Sequence, residues 1–112
     1  MQYLSPELSK KLTELTQENI AEIIQDKRYY VDSKDHGILV VCGHRIKWGE
    51  DNQELKVICP AWQVEDVLMN VRNLFPKGGI PWEFMGTITQ IIFDDVDTAY
   101  QKIEEYLWSI LK

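Results

Sequence analysis

Three stretches of the chain carry residue types capable of chemistry. The first is Cys42-Gly43-His44, with Cys59 further along. On an extended segment, side chains two apart project from one face, so the thiol of Cys42 and the imidazole of His44 would lie side by side. A paired strand carrying Cys59 would complete the outline of a zinc site or a Cys-His nucleophile. Structural zinc sites, however, use two close ligand pairs, and here His36 would have to serve as fourth ligand from a turn. The spacing fits better with two reduced, buried thiols and a sheet histidine satisfied by a hydrogen bond or by water. The second stretch is Asp94-Asp95-Val96-Asp97, a type of carboxylate cluster that holds Mg²⁺ when other oxygen ligands or a phosphate-binding loop accompany it. Lys77-Gly78-Gly79 lacks the spacing of such a loop. Acidic residues at a helix start cap orphan N–H groups and complement the helix dipole, which accounts for part of the cluster; recognition of a partner accounts for the rest. The third stretch, Lys77 to Gly86, concentrates Trp82, Phe84 and Met85 around Glu83 and Pro81, between glycines. Such residues either close one end of a core or anchor an interface.

The elements that must position these residues follow from hydrophobic period. Ser5-Pro6 is a helix start, with a capping hydroxyl before a proline that sacrifices no hydrogen bond. Leu8, Leu12 and Leu15 then share a face, while Ile20, Ile23 and Ile24 keep helical spacing out of phase with them. This predicts a helix over 6–26, drifting or interrupted near Thr16-Gln17. Arg28 to Asp32 is aromatic and β-branched, Ser33 to Gly37 is turn chemistry, and Ile38 to Trp48 reads as one long strand. Gly49 to Asn52 is the next turn, and Gln53 to Cys59 the returning strand, giving an antiparallel meander. Val64, Val67, Leu68, Val71, Leu74 and Phe75 fit an amphipathic helix ended by Pro76 to Gly79. Thr87 to Phe93 is a β-branched run read as a strand, and Asp94 or Asp95 caps a last helix running from Val96 to Leu111. The expected fold is therefore one α+β domain over residues 1–112, in the order α-β-β-β-α-β-α. It has a mostly antiparallel sheet of about four strands packed with three helices.

Charge bounds the function. In 112 residues, twelve Lys+Arg face eighteen Asp+Glu, a net charge of -6. Residues 1–27 carry three basic and five acidic groups, residues 28–62 five of each, and residues 63–112 four and eight. A nucleic acid or an anionic membrane needs a basic surface that this balance does not supply. The N-terminus has no basic segment followed by an apolar one, which predicts a cytoplasmic protein. Trp48, Trp62, Trp82 and Trp108 fall at element ends or beside core stripes, placing some of these rings at the margin. An acidic surface with marginal aromatics suits a basic protein partner.

An acidic α+β chain of this length without a catalytic motif resembles, in size, charge and element pattern over its whole length, the small immunity proteins of bacterial contact-dependent and polymorphic toxin systems. The resemblance implies a stoichiometric inhibitor, not an enzyme and without cofactor or metal, that binds a cognate, often basic, toxin domain and blocks its active site. The contact residues come from the reading above: Glu83, Asp94, Asp95 and Asp97 to steer and pair with Arg or Lys, and Trp82 and Phe84 as apolar anchors. The alternative is a small regulatory or adaptor domain acting as a homodimer, joined through a sheet edge or an open sheet face around Leu39, Val41 and Ile58.

Overall fold

The computed structural model describes residues 3–17, 22–47, 55–70, 74 and 81–111. The elements are α1 (Pro6–Thr16), β1 (Arg28–Ser33), β2 (Gly37–Cys42), α2 (Gly43–Lys47), β3 (Leu55–Pro60), α3 (Val64–Met69), α4 (Pro81–Asp94) and α5 (Ala99–Ile110). The class is α+β, with three antiparallel strands and five helices among the described residues in place of the expected four and three. The turn at Gly49 to Asn52, Trp48 before it and the stop at Pro76 to Gly79 lie outside the described residues. No helix among those described is long and apolar enough to cross a membrane.

The first helix starts where its residues dictate. The Ser5 hydroxyl accepts from the Leu8 N–H at 3.2 Å and Pro6 takes the first helical position. It stops at Thr16 rather than continuing to residue 26, because Gln17 turns left-handed (φ 56). The phase slip between the leucine and isoleucine sets marks this end. Buried on α1 beside Leu8 and Leu12 are two polar residues, Ser9 and Thr13, both committed to hydrogen bonds. Ser9 Oγ accepts from the Trp62 backbone N–H at 3.1 Å, and Thr13 Oγ1 accepts from the Trp62 indole N–H at 3.0 Å. The Leu4 N–H closes the loop by donating to the Trp62 carbonyl at 2.7 Å. Trp62, one of the rings placed near a margin by sequence, is therefore only 2% exposed and joins α1 to the segment between β3 and α3.

The sheet order is β2-β1-β3, so the three strands are not a meander. β1 and β2 form the expected hairpin around Gly37, whose φ of +74 suits glycine. The expected strand over 38–48 ends at Cys42, where Gly43 to Lys47 coil into α2 and lead the chain out of the sheet. β3 then pairs with the other side of β1, with Ile58 as an extra residue between the Tyr30–Cys59 and Val31–Val57 pairs. Central position explains why Tyr29, Tyr30 and Val31 are buried on both faces. On one face Tyr29, Val31 and Val41 pack with Ile23, Ile46, Leu55 and Val57. On the other, Tyr30, Cys59 and Ala61 meet Tyr3, and the Tyr30 hydroxyl donates to the Leu4 carbonyl.

Thr87 to Phe93 is not a strand. It belongs to α4, whose Phe84 and Ile88 are buried in a helical layer with Leu8, Leu12, Val67, Ile103 and Leu107. Packing of Phe84, Ile88 and Ile91 at helical spacing overrides the β-branched composition. The backbone N–H of Ser5 donates to the Glu104 carboxylate, which ties the start of α1 to α5.

Two substitutions test this arrangement. A Cβ at Gly43 would lie 2.0 Å from the Ile24 carbonyl oxygen, a backbone atom that cannot swing away. Gly43→Ala is expected to lower stability by about 2 kcal/mol. Thr13→Val strands the buried Trp62 indole N–H and is expected to cost about 1–3 kcal/mol. Urea unfolding midpoints at unchanged m-value check both.

Candidate functional site

The residues with catalytic potential are not brought together. Cys42 sits opposite Arg28, whose Nη1 donates to its sulfur, while Cys59 lies on β3, on the far side of β1. Two strand spacings of about 4.8 Å, plus the two-residue offset between Arg28 and Tyr30, set the two cysteines more than about 10 Å apart at the backbone, beyond disulfide reach. His44 has left the strand for α2 and is exposed, as is His36 in the hairpin turn, so the expected thiol and imidazole pair does not share a sheet face. Cys59 is buried with its sulfur 3.8 Å from the Pro6 carbonyl. Burial pushes its thiol up to about 11, only partly offset by Lys10, which holds it in the unreactive protonated form at neutral pH. An open depression of about 510 Å³ is lined by Ile24, Gln25, Asp26 and His44. Its polar side chains face water, so it does not desolvate a reacting group. Among the described residues, no group of three or more His, Cys, Asp or Glu side chains could hold a metal ion.

The acidic and aromatic residues occupy α4 and the link to α5. Pro81 opens α4 and Glu83 lies in its first turn, exposed. Trp82 falls in that same turn, and its side chain lies outside what the structure describes. Phe84 does not face a partner: it is fully buried, its ring 5.9 Å from that of Tyr106. The anchor role expected of Phe84 therefore has no exposed surface to act through. At the other end of α4, Asp94 is exposed, and its Oδ1 accepts from Gln90 Nε2 at 2.8 Å. Asp95 Oδ1 accepts from the Asp97 N–H and its Oδ2 from the Thr98 hydroxyl, both at 3.0 Å. These bonds, the Thr98 hydroxyl first, hold the Asp95 carboxyl below the usual carboxylate range. Asp95 thus fixes the turn between the helices. It does not cap α5, which begins three residues later than expected, after Thr98.

Sequence reasoning missed the second face of α4. Met85, Ile92 and Phe93 are exposed, Phe93 to 81%, and Val96 beyond the helix end to 71%. At 100° per residue Met85, Thr89, Ile92 and Phe93 form one continuous stripe, roughly opposite or beside Phe84, Ile88 and Ile91. Glu83, Gln90 and Asp94 line one flank of it. The signal lay in the residues themselves, since a helix over 81–94 carries apolar side chains nearly all round. Among the tryptophans, Trp108 on α5 is exposed to 43%, as its place beside the core stripe predicted.

The titratable groups under the helical layer give a measurable signature. Burial, with the negative charges of Cys59, Glu104 and Glu7 adding to it, pushes Tyr30 from an ordinary 10.0 up to about 12, and Cys59 moves from 9.0 up to about 11. The unfolded chain therefore releases these protons first as pH rises. Stability is fully present below about pH 9, declines above it and has lost this contribution by about pH 12. Urea midpoints measured from neutral to alkaline pH are expected to fall accordingly, and Tyr30→Phe to flatten the upper part of the decline.

No protein-family model matches the chain, and neither a curated protein nor a solved structure matches it.

Proposed function

We propose that this chain is a non-catalytic, protein-binding inhibitor of the immunity-protein type, which grips a basic toxin domain through the outer face of α4 and the acidic turn after it. One observation carries the reading: α4 is apolar on two faces, and only one of them is used by the core. A helix of that kind is normally enclosed, and a contiguous exposed apolar stripe bordered by polar residues is the usual form of a protein interface. Phe93 and Val96 supply the apolar centre, with Met85 and Ile92 beside them. Glu83, Asp94 and Asp97 supply charge at the margin. Asp94 is informative in its own right. It ends α4, where the helix dipole is negative and a carboxylate is disfavoured, and its one bond within the helix, from Gln90, leaves its second oxygen and its charge facing water. A cation from a partner relieves that repulsion, which makes Arg or Lys the complementary group.

The test begins with affinity capture of the tagged protein from its own cells at low salt and identification of the protein that co-purifies. Against that partner, Phe93→Ala is expected to weaken binding about 30-fold, the loss of a central aromatic anchor worth about 2 kcal/mol. Reversing Glu83, Asp94 and Asp97 to Lys is expected to slow association, and more strongly at low salt than at high. Asp95 is left in place because its carboxylate organises the turn. A tight partner indifferent to both changes would remove α4 from the interface.

A further inference from the structure

The sheet presents a second surface, independent of α4. β2 is an edge strand, and its residues Gly37 to Cys42 carry no charge. Protein edge strands are normally guarded by charged residues, proline or a bulge, and β2 has none of these. The direction of its free backbone groups follows from the ladder. The Gly43 N–H donates to the Lys27 carbonyl, in register with the β1–β2 pairs, so the odd-numbered residues of β2 bond to β1. Ile38 and Val40 therefore aim both their N–H and C=O groups outward, and Cys42 its N–H, while the Cys42 carbonyl belongs to the first turn of α2. Ile38 is 51% exposed, and Leu39 and Val40 are exposed as well. The open face expected around Leu39, Val41 and Ile58 does not exist: Val41 is buried, and Ile58 is the extra residue of the β3 bulge on the other side of the sheet.

We infer that β2 pairs with β2 of a second copy of this chain, antiparallel and about a two-fold axis at Val40, joining two sheets into one of six strands. Three features choose this occupant. The outward residues 38, 40 and 42 are symmetric about Val40, so pairing Val40 with Val40 and Ile38 with Cys42 joins both groups of Val40 to their counterparts and the Ile38 carbonyl to the Cys42 N–H. The same register sets Leu39 beside Val41 on the opposite face, so apolar meets apolar on both sides. Charge agrees. The turn end of the hairpin carries Asp32 and Asp35 against Lys34, with Lys56 of β3 directly beside Asp32, and the other end carries Lys27, Arg28 and Arg45 against Asp26. Antiparallel pairing lays each basic end beside the partner's balanced turn end, so the two basic ends are kept apart. Two chains of net charge -6 also meet at least cost here, since residues 28–62 are neutral while residues 63–112 hold most of the excess. A contact of six residues per copy is smaller than a standard interface, so the dimer is a weak one.

Sedimentation equilibrium of the full chain over about 10 μM to about 1 mM tests this, with circular dichroism as the check of folding. The wild type is expected to move from monomer to dimer across that range. Val40→Lys and Val40→Glu, each placing like charges on the axis, are expected to stay monomeric, and an equal mixture of the two to recover the dimer. A wild type that stays monomeric overturns the inference. So does a dimer unaffected by either substitution, or a mixture that fails to recover. Should the charged variants not fold, Val40→Cys in a Cys42→Ser background replaces them. Two cysteines on the axis stand about 5.5 Å apart at Cα, within disulfide range. A disulfide-linked dimer under mild oxidation supports the pairing, and its absence refutes it.

Discussion

Trp62 is held by its backbone N–H, its carbonyl and its indole nitrogen, through Ser9, Leu4 and Thr13. All of these bonds lie inside the protein, where an unpaired polar group costs more than a made bond returns. The geometry is consequently intolerant: α1 can approach the end of β3 in one register only, the one in which Ser9 and Thr13 both face Trp62. Everything in the helical layer inherits that register. Leu8 and Leu12 flank the polar pair on α1, Val64 and Val67 follow Trp62 in sequence, and Phe84, Ile88, Ile103 and Leu107 close on what those present. Apolar contact supplies most of the driving force in such a layer, but it is forgiving of small rotations. The Trp62 bonds remove that freedom.

The sheet is organised by a different constraint. Once α2 carries the chain away after Cys42, β3 returns to the far side of β1 and not to the outer edge of β2. A single buried central strand results, with its two tyrosines divided between the faces. Tyr29 reaches the Ile24 N–H at 2.8 Å on one side, and Tyr30 reaches the Leu4 carbonyl on the other. Each hydroxyl ties a sheet face to the segment that covers it, so the layers are joined by specific bonds as well as by area.

The start of α1, the β1–β2 hairpin and the core stripe of α5 were legible because each is decided locally, by Ser5-Pro6, by Gly37 and by the spacing of Ala99, Ile103 and Leu107. The errors share a physical origin. Thr87 to Phe93 has strand-forming composition, and only the company it keeps makes it helical, with Phe84 and Ile88 already committed to a layer of helices. Extending Ile38 to Trp48 as one strand followed its alternation, yet Gly43 is required where the chain passes against Ile24, a contact between segments that no local pattern encodes. The acidic cluster was legible as charge but not as position. Its first member ends a helix and its second ties a turn, because the preceding element was helical rather than extended. Misreading α4 as loop and strand also hid its outer stripe and placed Phe84 at the surface.

The bond between the Ser5 N–H and the Glu104 carboxylate has a consequence for synthesis. Residues almost a hundred positions apart meet at the first turn of the first helix, and Leu4 and Leu111 are buried in the same cluster. Such contacts have the longest loops to close and form late. On the ribosome, α1 can find Trp62 while the chain is still growing, but the helical layer stays open on one side until α5 has emerged. The outer face of α4 is aligned only at that last step. A truncated product lacking α5 would expose the inner stripe of Phe84 and Ile88, which marks unfinished chains for chaperones and proteases before they can compete with complete ones.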